Sequence, residues 1–377
     1  MDFGIALATS TESWRAVKRA EALGFKYAWF YDTQLLNPDV FVGMALAARE
    51  TKKIRLGTGV LIPSNRLSPV AANGLATLAK LAPGRVDFGV GTGFTGRRTM
   101  GQRAIKLADM ERYIAEVQGL LRGETVEALL EGEKKKIRFL NPELGLINLK
   151  QKIPLHISAF GPKARALVAK LGAGWAFFSG SMAPALGALA DMRATWKSAG
   201  RADKLYANLY TLGCVLKPGE SFTSKRALAQ AGPLAAVLFH DLVERGTLGE
   251  VMGALPPFLS EAVERYAKMY EQYEPADARW LAVHRGHLMF VRPEEKPFLT
   301  KELIENFTFT GTTDELRGRV ETLRDAGYAQ LTIQLVHGQE DALADWAKLL
   351  GPLGLKKSGG KARAKPPKGK KAARKTR

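Results

Sequence analysis

A glycine-rich segment, GVGTGFTG at residues 89–96, contains the GxGxxG spacing of dinucleotide-binding loops. In those loops the motif follows the first strand of the fold, and an acidic residue stands about 20 positions later. Here the motif follows the fourth predicted strand, and the next acid, Asp109, lies within a helical pattern. The segment is therefore not predicted to bind nicotinamide. Its glycines still let backbone N–H groups approach an anion, so we expect Thr92 and Gly93 to bind a phosphate.

A second candidate loop is Phe160-Gly161-Pro162-Lys163, where a strand gives way to a helix. Proline suits the first helical position, and the unpaired N–H groups of a helix start attract anions. The lysine one step inside the helix adds a positive charge. The loop thus predicts a second phosphate contact, although simple helix capping explains the same residues.

Other kinds of active site have little support. The chain has five histidines, and His284 and His287, three residues apart, have no neighbouring cysteine or third ligand, so we expect surface or packing roles for them. No GxSxG follows a strand, and Ser158 lies within one, which disfavours Ser-His-Asp hydrolysis. An organic coenzyme that carries the chemistry fits these absences best.

The spacing of apolar residues predicts the elements that position these loops. Short β-rich runs alternate with amphipathic helices from residue 2 to about 216 and again from Thr312, which is typical of parallel strands joined by helices. Eight such units favour an α/β fold of the (β/α)8, or TIM-barrel, type over an open doubly wound sheet, with function at the C-terminal ends of the strands. The predicted strands are 3–8, 27–32, 54–63, 86–93, 154–161, 175–180, 205–216 and 331–336.

Helix boundaries are also readable. Gly24, Gly172 and Gly327 suit left-handed positions after helices, and Thr312 with Glu315 forms a capping box. Ser68 and Pro69 fit a helix start.

Two stretches break the rhythm of the barrel. Residues 124–152 are charged and irregular, and residues 218–305 form a largely helical insertion. Aromatic residues of the insertion would either line a substrate pocket or pack its core. These residues are Phe222, Phe239, Tyr266 and Trp280.

The net charge of +19 is partly a property of one end of the chain. Residues 355–377 hold 11 Lys or Arg and no acid, so the remainder carries 56 − 11 − 37, or +8. We predict a barrel over 1–354 and a disordered basic tail over 355–377, which would contact anions or nucleic acid weakly and nonspecifically. Cys214 is predicted to be a buried thiol. The lack of a long apolar run or a signal peptide predicts a cytoplasmic protein without membrane contact.

Two segments carry a resemblance to a known family. Residues 55–93 and 154–175 resemble the core of luciferase-like oxidoreductases that depend on flavin or deazaflavin. The GPK of the second segment looks closer to the branch that uses coenzyme F420, including methylenetetrahydromethanopterin reductases, than to the monooxygenases that use FMN. The resemblance implies hydride transfer between F420 and a small organic substrate.

The resemblance also implies roles for individual residues. A non-proline cis peptide at Gly59-Val60 would bulge against the coenzyme ring. Asp32 matches the aspartate of the family's Asp-His pair, with Thr33 in place of histidine, and both are candidate catalytic residues. Phe94 stands where the sugar-phosphate dehydrogenases have glutamate. The predicted coenzyme contacts are Asp32, Gly59, Val60, Thr92, Gly93, Ser158, Phe160, Gly161, Pro162, Lys163 and Gly180.

Phe94 is a candidate substrate contact, and Arg97 and Arg98, which follow it, would contact an anionic substrate or coenzyme tail. The alternative activity is an FMN-dependent monooxygenase that uses O2 and a partner flavin reductase. A noncatalytic coenzyme-binding or nucleic-acid-associated barrel is the alternative of another class. The resemblance further implies a homodimer.

Overall fold

Eight parallel strands close into a barrel in the order β1-β10-β9-β8-β7-β4-β3-β2. The structure, a computed structural model, describes residues 1–244 and 257–355. The remaining two strands of this part of the chain, β5 and β6, pair as an antiparallel hairpin outside the barrel. The strands are β1 (Asp2–Leu7), β2 (Tyr27–Phe30), β3 (Arg55–Thr58), β4 (Val86–Val90), β5 (Val126–Leu130), β6 (Glu133–Ile137), β7 (Leu155–Ser158), β8 (Gly174–Phe178), β9 (Ala207–Thr211) and β10 (Gln330–Leu335).

Helices cover the outside of the barrel and form the insertion after β9. Those of the barrel are α1 (Ser13–Leu23), α2 (Val40–Glu50), α3 (Ser68–Leu81), α4 (Phe94–Arg98), α5 (Leu107–Leu121), α6 (Pro162–Leu171) and α7 (Met182–Ser198). The insertion contains α8 (Lys225–Glu244), α9 (Pro257–Glu271), α10 (Trp280–Val283) and α11 (Lys301–Phe307), and α12 (Thr313–Ala326) and α13 (Ala342–Leu350) complete the barrel. The predicted (β/α)8 fold is confirmed.

Side chains alternate between the barrel lumen and the layer of helices, as strand geometry requires. On β2, Trp29 lies in the lumen, whereas Phe30 joins the core between strands and helices. On β9, Tyr210 lies in the lumen and Leu209 packs outward. This alternation decides which residues after each strand face the mouth.

The predicted helix ends agree with the structure except at α3, where Leu67 rather than Ser68 is the N-cap and Ser68 is the first helical residue. Gly24 and Gly327 have φ angles of 100° and 106°, in the left-handed region that ends a helix, and Gly172 has 59°. The capping box joins the Thr312 hydroxyl and the Glu315 backbone at the start of α12.

The stretch 124–152 was wrongly expected to be irregular throughout. Residues 126–137 form the β5–β6 hairpin, although β6 reads EKKKI and is almost wholly exposed. An ion pair between Lys134 Nζ and Glu127 Oε1, 2.9 Å apart, joins the two strands of the hairpin. Because an exposed hairpin does not need alternating apolar residues, the spacing of apolar residues does not predict these two strands.

The aromatic residues of the insertion form its own core. Phe239 and Tyr266 stack with ring centroids 4.9 Å apart, and Phe222 packs against the same cluster. Trp280 lies against Gly101, in the loop after α4. Core packing, rather than a substrate pocket, therefore explains Phe222, Phe239 and Tyr266.

Three further expectations concern burial and the chain end. Cys214 is buried, and burial raises the pKa of its thiol to about 12, so it is an inert core residue. Leu355, at the predicted start of the tail, is buried in the barrel core, and the rest of the tail lies outside the described residues. Within residues 1–244 and 257–355, helices long and apolar enough to span a membrane are absent.

Candidate active site

The part of the barrel interior at the C-terminal ends of the strands is called the upper lumen. Trp29 forms its floor, because the indole is fully buried and occupies the space beside Gly57 and Gly89 that side chains would otherwise fill. The ring of Tyr210 meets the indole edge to face, with centroids 5.8 Å apart. The polar residues of the upper lumen are Tyr31, Ser158, Tyr210 and Gln334.

Four buried polar groups of the upper lumen and its floor have no partner among the described residues. They are the hydroxyls of Tyr31 and Tyr210, the side-chain nitrogen of Gln334 and the indole nitrogen of Trp29. Burial raises the pKa of both tyrosines well above the ordinary value, so both remain protonated donors. Buried donors without partners are costly, and this place is where a ligand would satisfy them.

The Gly59-Val60 peptide bond is cis, as the resemblance implied. The side chain of Val60 projects toward Gly91, whose missing Cβ would lie 2.7 Å from a Val60 methyl group. The same point is 3.4 Å from the Cβ of Ser158. Val60 and Ser158 thus form one wall of the upper lumen.

Asp32 faces away from the lumen, toward the loop after β3. Its Oδ2 atom accepts hydrogen bonds from Ile62 N at 3.0 Å, Asn65 Nδ2 at 3.2 Å and Arg66 Nη1 at 2.8 Å. The carboxylate is buried and paired with Arg66, so the geometry gives it a positioning role for this loop. Its catalytic role stays a prediction.

Thr33 is half-buried in the loop after β2. Its carbonyl oxygen accepts hydrogen bonds from the backbone of Leu36 and Asn37, at 3.2 and 2.9 Å. These bonds fix the backbone, and the catalytic role of the side chain stays a prediction.

The two predicted phosphate loops lie side by side, because β4 and β7 are neighbours in the barrel. Gly93 has a φ angle of 80° and precedes α4, and a Cβ there would lie 2.6 Å from Ile62. The position therefore requires glycine for two structural reasons. Thr92 precedes it and is half-buried.

The loop at 160–163 is exposed and open. A Cβ at Gly161 would meet no atom within 4 Å. Arg165 fixes the loop from behind, donating to the Phe160 carbonyl at 2.5 Å and to Asp191 at 3.1 Å. Pro162 begins α6 and Lys163 follows it, so the N–H groups of the first helical turn point toward solvent.

The residues after Gly93 connect the mouth with the insertion. Arg98 pairs with Asp241 and Glu244 of α8, each at 3.2 Å, and its guanidinium lies 3.8 Å from the ring centroid of Phe94. Arg97 donates to the carbonyl of Arg103 at 2.5 Å. Both arginines are thus engaged within the chain, and their contact with an anionic ligand stays a prediction.

Gly180, in the loop after β8, packs closely against the backbone at the end of α11. A Cβ there would lie 2.1 Å from the carbonyl oxygen of Phe307. This packing alone requires glycine, whereas the predicted coenzyme contact is not tested by it.

A histidine cluster in the insertion lies above the mouth. His240 bonds to Glu295 at 2.5 Å, and His287 Nε2 lies 3.4 Å from the hydroxyl of Thr95 in α4. His284 and His287 are buried packing residues, so the packing role is confirmed and the surface role is wrong. Within the described parts of the chain, clusters suited to hold a metal ion are absent.

Sequence reasoning missed Tyr31, Tyr210 and Gln334. The alternation along each strand could have identified them, because Tyr27, Trp29 and Tyr31 share one face of the β2 segment. Asp32 has the opposite parity, in agreement with its position outside the lumen.

Comparison with known proteins places this geometry in a family. A family model described as luciferase-like monooxygenase matches residues 8–330. The 5,10-methylenetetrahydromethanopterin reductase of Archaeoglobus fulgidus is 23% identical over 335 residues, covering 88% of this chain and 92% of that protein. An F420-dependent glucose-6-phosphate dehydrogenase of Beutenbergia cavernae is 33% identical over 155 residues, which cover 38% of this chain and 43% of that protein.

Solved structures share the fold. The coenzyme F420-dependent tetrahydromethanopterin reductase from Methanopyrus kandleri superposes with a TM-score of 0.64 at 22% identity, covering 93% of this chain and 97% of that chain. The oxygenating constituent of 3,6-diketocamphane monooxygenase from Pseudomonas putida, in complex with FMN, gives 0.59 at 13% identity, covering 93% and 97%. The chain belongs to the luciferase-like monooxygenase family.

Proposed function

We propose that this protein is an F420-dependent oxidoreductase that transfers hydride between the deazaflavin and a small organic substrate. The observation that carries the proposal is the likeness, over 88% of the chain, to proteins named 5,10-methylenetetrahydromethanopterin reductase. The upper lumen fits a polar ring, since Tyr31, Tyr210 and Gln334 present unpaired donors there.

The chain's own groups would bind and orient the coenzyme, which supplies the hydride chemistry when bound. Val60 and Ser158 would contact the ring, while the backbone of Thr92, Gly93, Phe160 and Gly161 would hold the phosphate. Asp32 would act through its bonds to the loop that follows Val60.

The roof of the mouth indicates the class of substrate. An apolar cluster joins the ends of β8, β9 and β10 to the insertion, and it would exclude water from the reacting groups. Its members are Phe178, Leu212, Leu234, Leu288 and Val336. We propose a largely apolar carbonyl or unsaturated compound, and Phe94 in place of glutamate disfavours a sugar phosphate.

The test is a fluorescence titration of the purified full-length protein with F420 and, separately, FMN, each oxidised and reduced. Low-micromolar binding of F420 with much weaker binding of FMN is the expected result. Preference for reduced FMN would support the alternative, an O2-using monooxygenase with a partner flavin reductase. Binding of neither would contradict the enzyme assignment and favour a noncatalytic or nucleic-acid-associated barrel.

A homodimer is the proposed assembly. Val42 on α2 and Val70 on α3 are 51% and 53% exposed, and Leu67 beside them is 58% exposed. Neighbouring helices with such apolar side chains would gain by pairing with a second copy. Light scattering should give twice the chain mass for the native protein and a lower mass for Val42→Asp/Val70→Asp; a native monomer would contradict this proposal.

A further inference from the structure

Two tyrosines reach into the upper lumen from nearly opposite walls. Tyr31 follows β2 and Tyr210 lies on β9, and these strands are separated by β1 and β10 in the barrel order. Both side chains pack in one lumen cluster with Trp29 and Phe178. The two side chains thus lie in the same part of the barrel lumen.

Folding alone does not explain these hydroxyls. A buried hydroxyl without a partner destabilises a protein by about 1–3 kcal/mol relative to a paired one, whereas phenylalanine would fill the same space without that cost. Just before the strand that carries Tyr210, another tyrosine shows the contrast, because Tyr206 donates to Gln330 Oε1 at 2.9 Å. Tyr31 and Tyr210, whose hydroxyls are unpaired, both lie at the end of the barrel that carries the predicted coenzyme loops.

The chemistry of the unpaired atoms defines what they bind. Both hydroxyls remain protonated, and the Gln334 nitrogen is also a donor. The complementary ligand atoms are acceptors without protons, such as ring carbonyl oxygens. The indole of Trp29 and the methyl groups of Val60 present apolar surfaces to the upper lumen, which would suit the faces of a planar heterocycle.

We propose that the hydroxyls of Tyr31 and Tyr210 donate hydrogen bonds to the carbonyl oxygens of the pyrimidinedione edge of the bound deazaflavin, with Gln334 as a third donor. This inference rests on the proposed function, because it names the contacts of that same site. The two hydroxyls bind and orient the ring and take no part in proton transfer.

The test compares Tyr31→Phe and Tyr210→Phe with the matched control Tyr113→Phe. The hydroxyl of Tyr113 on α5 is also buried and without a partner among the described residues, but it lies outside the barrel. With F420 as the probe, each lumen variant should bind about tenfold more weakly than wild type, the contribution of one hydrogen bond. Tyr113→Phe should bind as wild type does.

A spectroscopic readout separates ring contacts from general effects on binding. Light absorption moves electron density onto the ring carbonyls, so a donor there stabilises the excited state. The visible band of bound F420 should therefore shift to shorter wavelength in the two lumen variants and stay in place in Tyr113→Phe. The melting temperature of each variant without coenzyme should equal or exceed that of wild type.

The outcomes distinguish the two proposals. Failure of wild type to bind F420 would contradict the proposed function. Wild-type binding with unchanged affinity and spectrum in both lumen variants would overturn the inference alone and assign the hydroxyls to ordered water. A lower melting temperature in both variants would show that the hydroxyls are paired within the protein, which would also overturn it.

Discussion

The two ends of the barrel lumen differ in how their polar groups are paired. We call the barrel interior at the N-terminal ends of the strands the lower lumen. There, the carboxylate of Asp87 accepts a hydrogen bond from Arg55 Nε at 2.8 Å and lies 3.2 Å from His156 Nε2. In the upper lumen, Tyr31 and Tyr210 have no partner among the described residues. The lower lumen is formed by Arg55, Asp87, His156, Tyr206 and Gln330.

The upper lumen is therefore the end of the barrel whose donors are available to a ligand. Opposite charges bond to each other in the lower lumen, and the carboxylate of Asp87 helps to raise the pKa of Arg55 against the opposing effect of burial. Such a network engages the charges of Arg55 and Asp87 with each other, and the one polar atom of the His156 ring without a partner among the described residues is its Nδ1. The unpaired donors of the upper lumen would find acceptors in a bound ligand, and their position agrees with that of active sites in (β/α)8 barrels.

The largest expected effect is on stability, from breaking the lower lumen. Asp87→Ala leaves Arg55 and His156 without their buried carboxylate and should lower the free energy of unfolding by about 3 kcal/mol. Chemical denaturation followed by fluorescence measures it. Glu133→Gln, which removes an exposed ion pair with Lys135, is the control and should show no measurable change. Equal changes in the two variants would refute the structural role of the lower lumen.

A substitution in the exposed loop at the mouth should weaken F420 binding without changing the stability of the protein. Gly161→Val adds a side chain in open space, where it would lie between the loop and a phosphate, so F420 binding should weaken at least about tenfold, or about 1.4 kcal/mol. Gly187→Val on α7, where a Cβ also meets no atom, is the control for the substitution itself. Unchanged affinity in Gly161→Val would remove this loop from the site.

The buried histidine cluster of the insertion should make the stability of the protein depend on pH. Burial, followed by the charges of His240, His284 and Arg98, holds the pKa of His287 well below its usual value, despite the opposing effect of Glu295. The folded protein therefore binds fewer protons than the unfolded chain below about pH 6.5. The contribution of His287 is complete above that pH and decreases as the pH falls, by about 1.4 kcal/mol at pH 5.5.

Melting temperatures at pH 7.5 and 5.5 measure this dependence. His287→Asn should show a smaller decrease between the two pH values than wild type does. His337→Asn changes an exposed histidine and should behave as wild type. An unaltered decrease in His287→Asn would contradict the assignment.

The smallest predicted change in stability comes from replacing a tyrosine of the lower lumen, in contrast to one of the upper lumen. Tyr206→Phe removes a paired hydroxyl of the lower lumen and should destabilise the protein by about 1 kcal/mol. Tyr210→Phe removes an unpaired one and should not destabilise it. If thermal unfolding ranks the two in the opposite order, the contrast between the ends of the lumen is wrong.

The sequence predicted the barrel because its signals are local. Apolar runs and capping residues such as Gly24, Gly327 and Thr312 act within a few residues of where they stand. The helix α4 and the β5–β6 hairpin were not predicted, since a five-residue helix and an exposed hairpin bury few apolar side chains.

The site was predicted in part. The loops of β4 and β7 follow from strand order, and the cis bond at Gly59-Val60 follows from the resemblance. The pairing of Asp32 with Arg66 depends on how the loop after β3 returns to β2, which no local pattern records. The unpaired state of Tyr31 and Tyr210 is a property of the closed lumen and needs all eight strands.

A crystal structure of the protein with F420 would show where the coenzyme binds. We predict the deazaflavin ring in the upper lumen, beside Val60 and above Trp29, with Tyr31 and Tyr210 within hydrogen-bond distance of its carbonyl oxygens. Coenzyme bound elsewhere, for example in the basic cleft of Arg193 and Lys197 on α7, would contradict the proposed site.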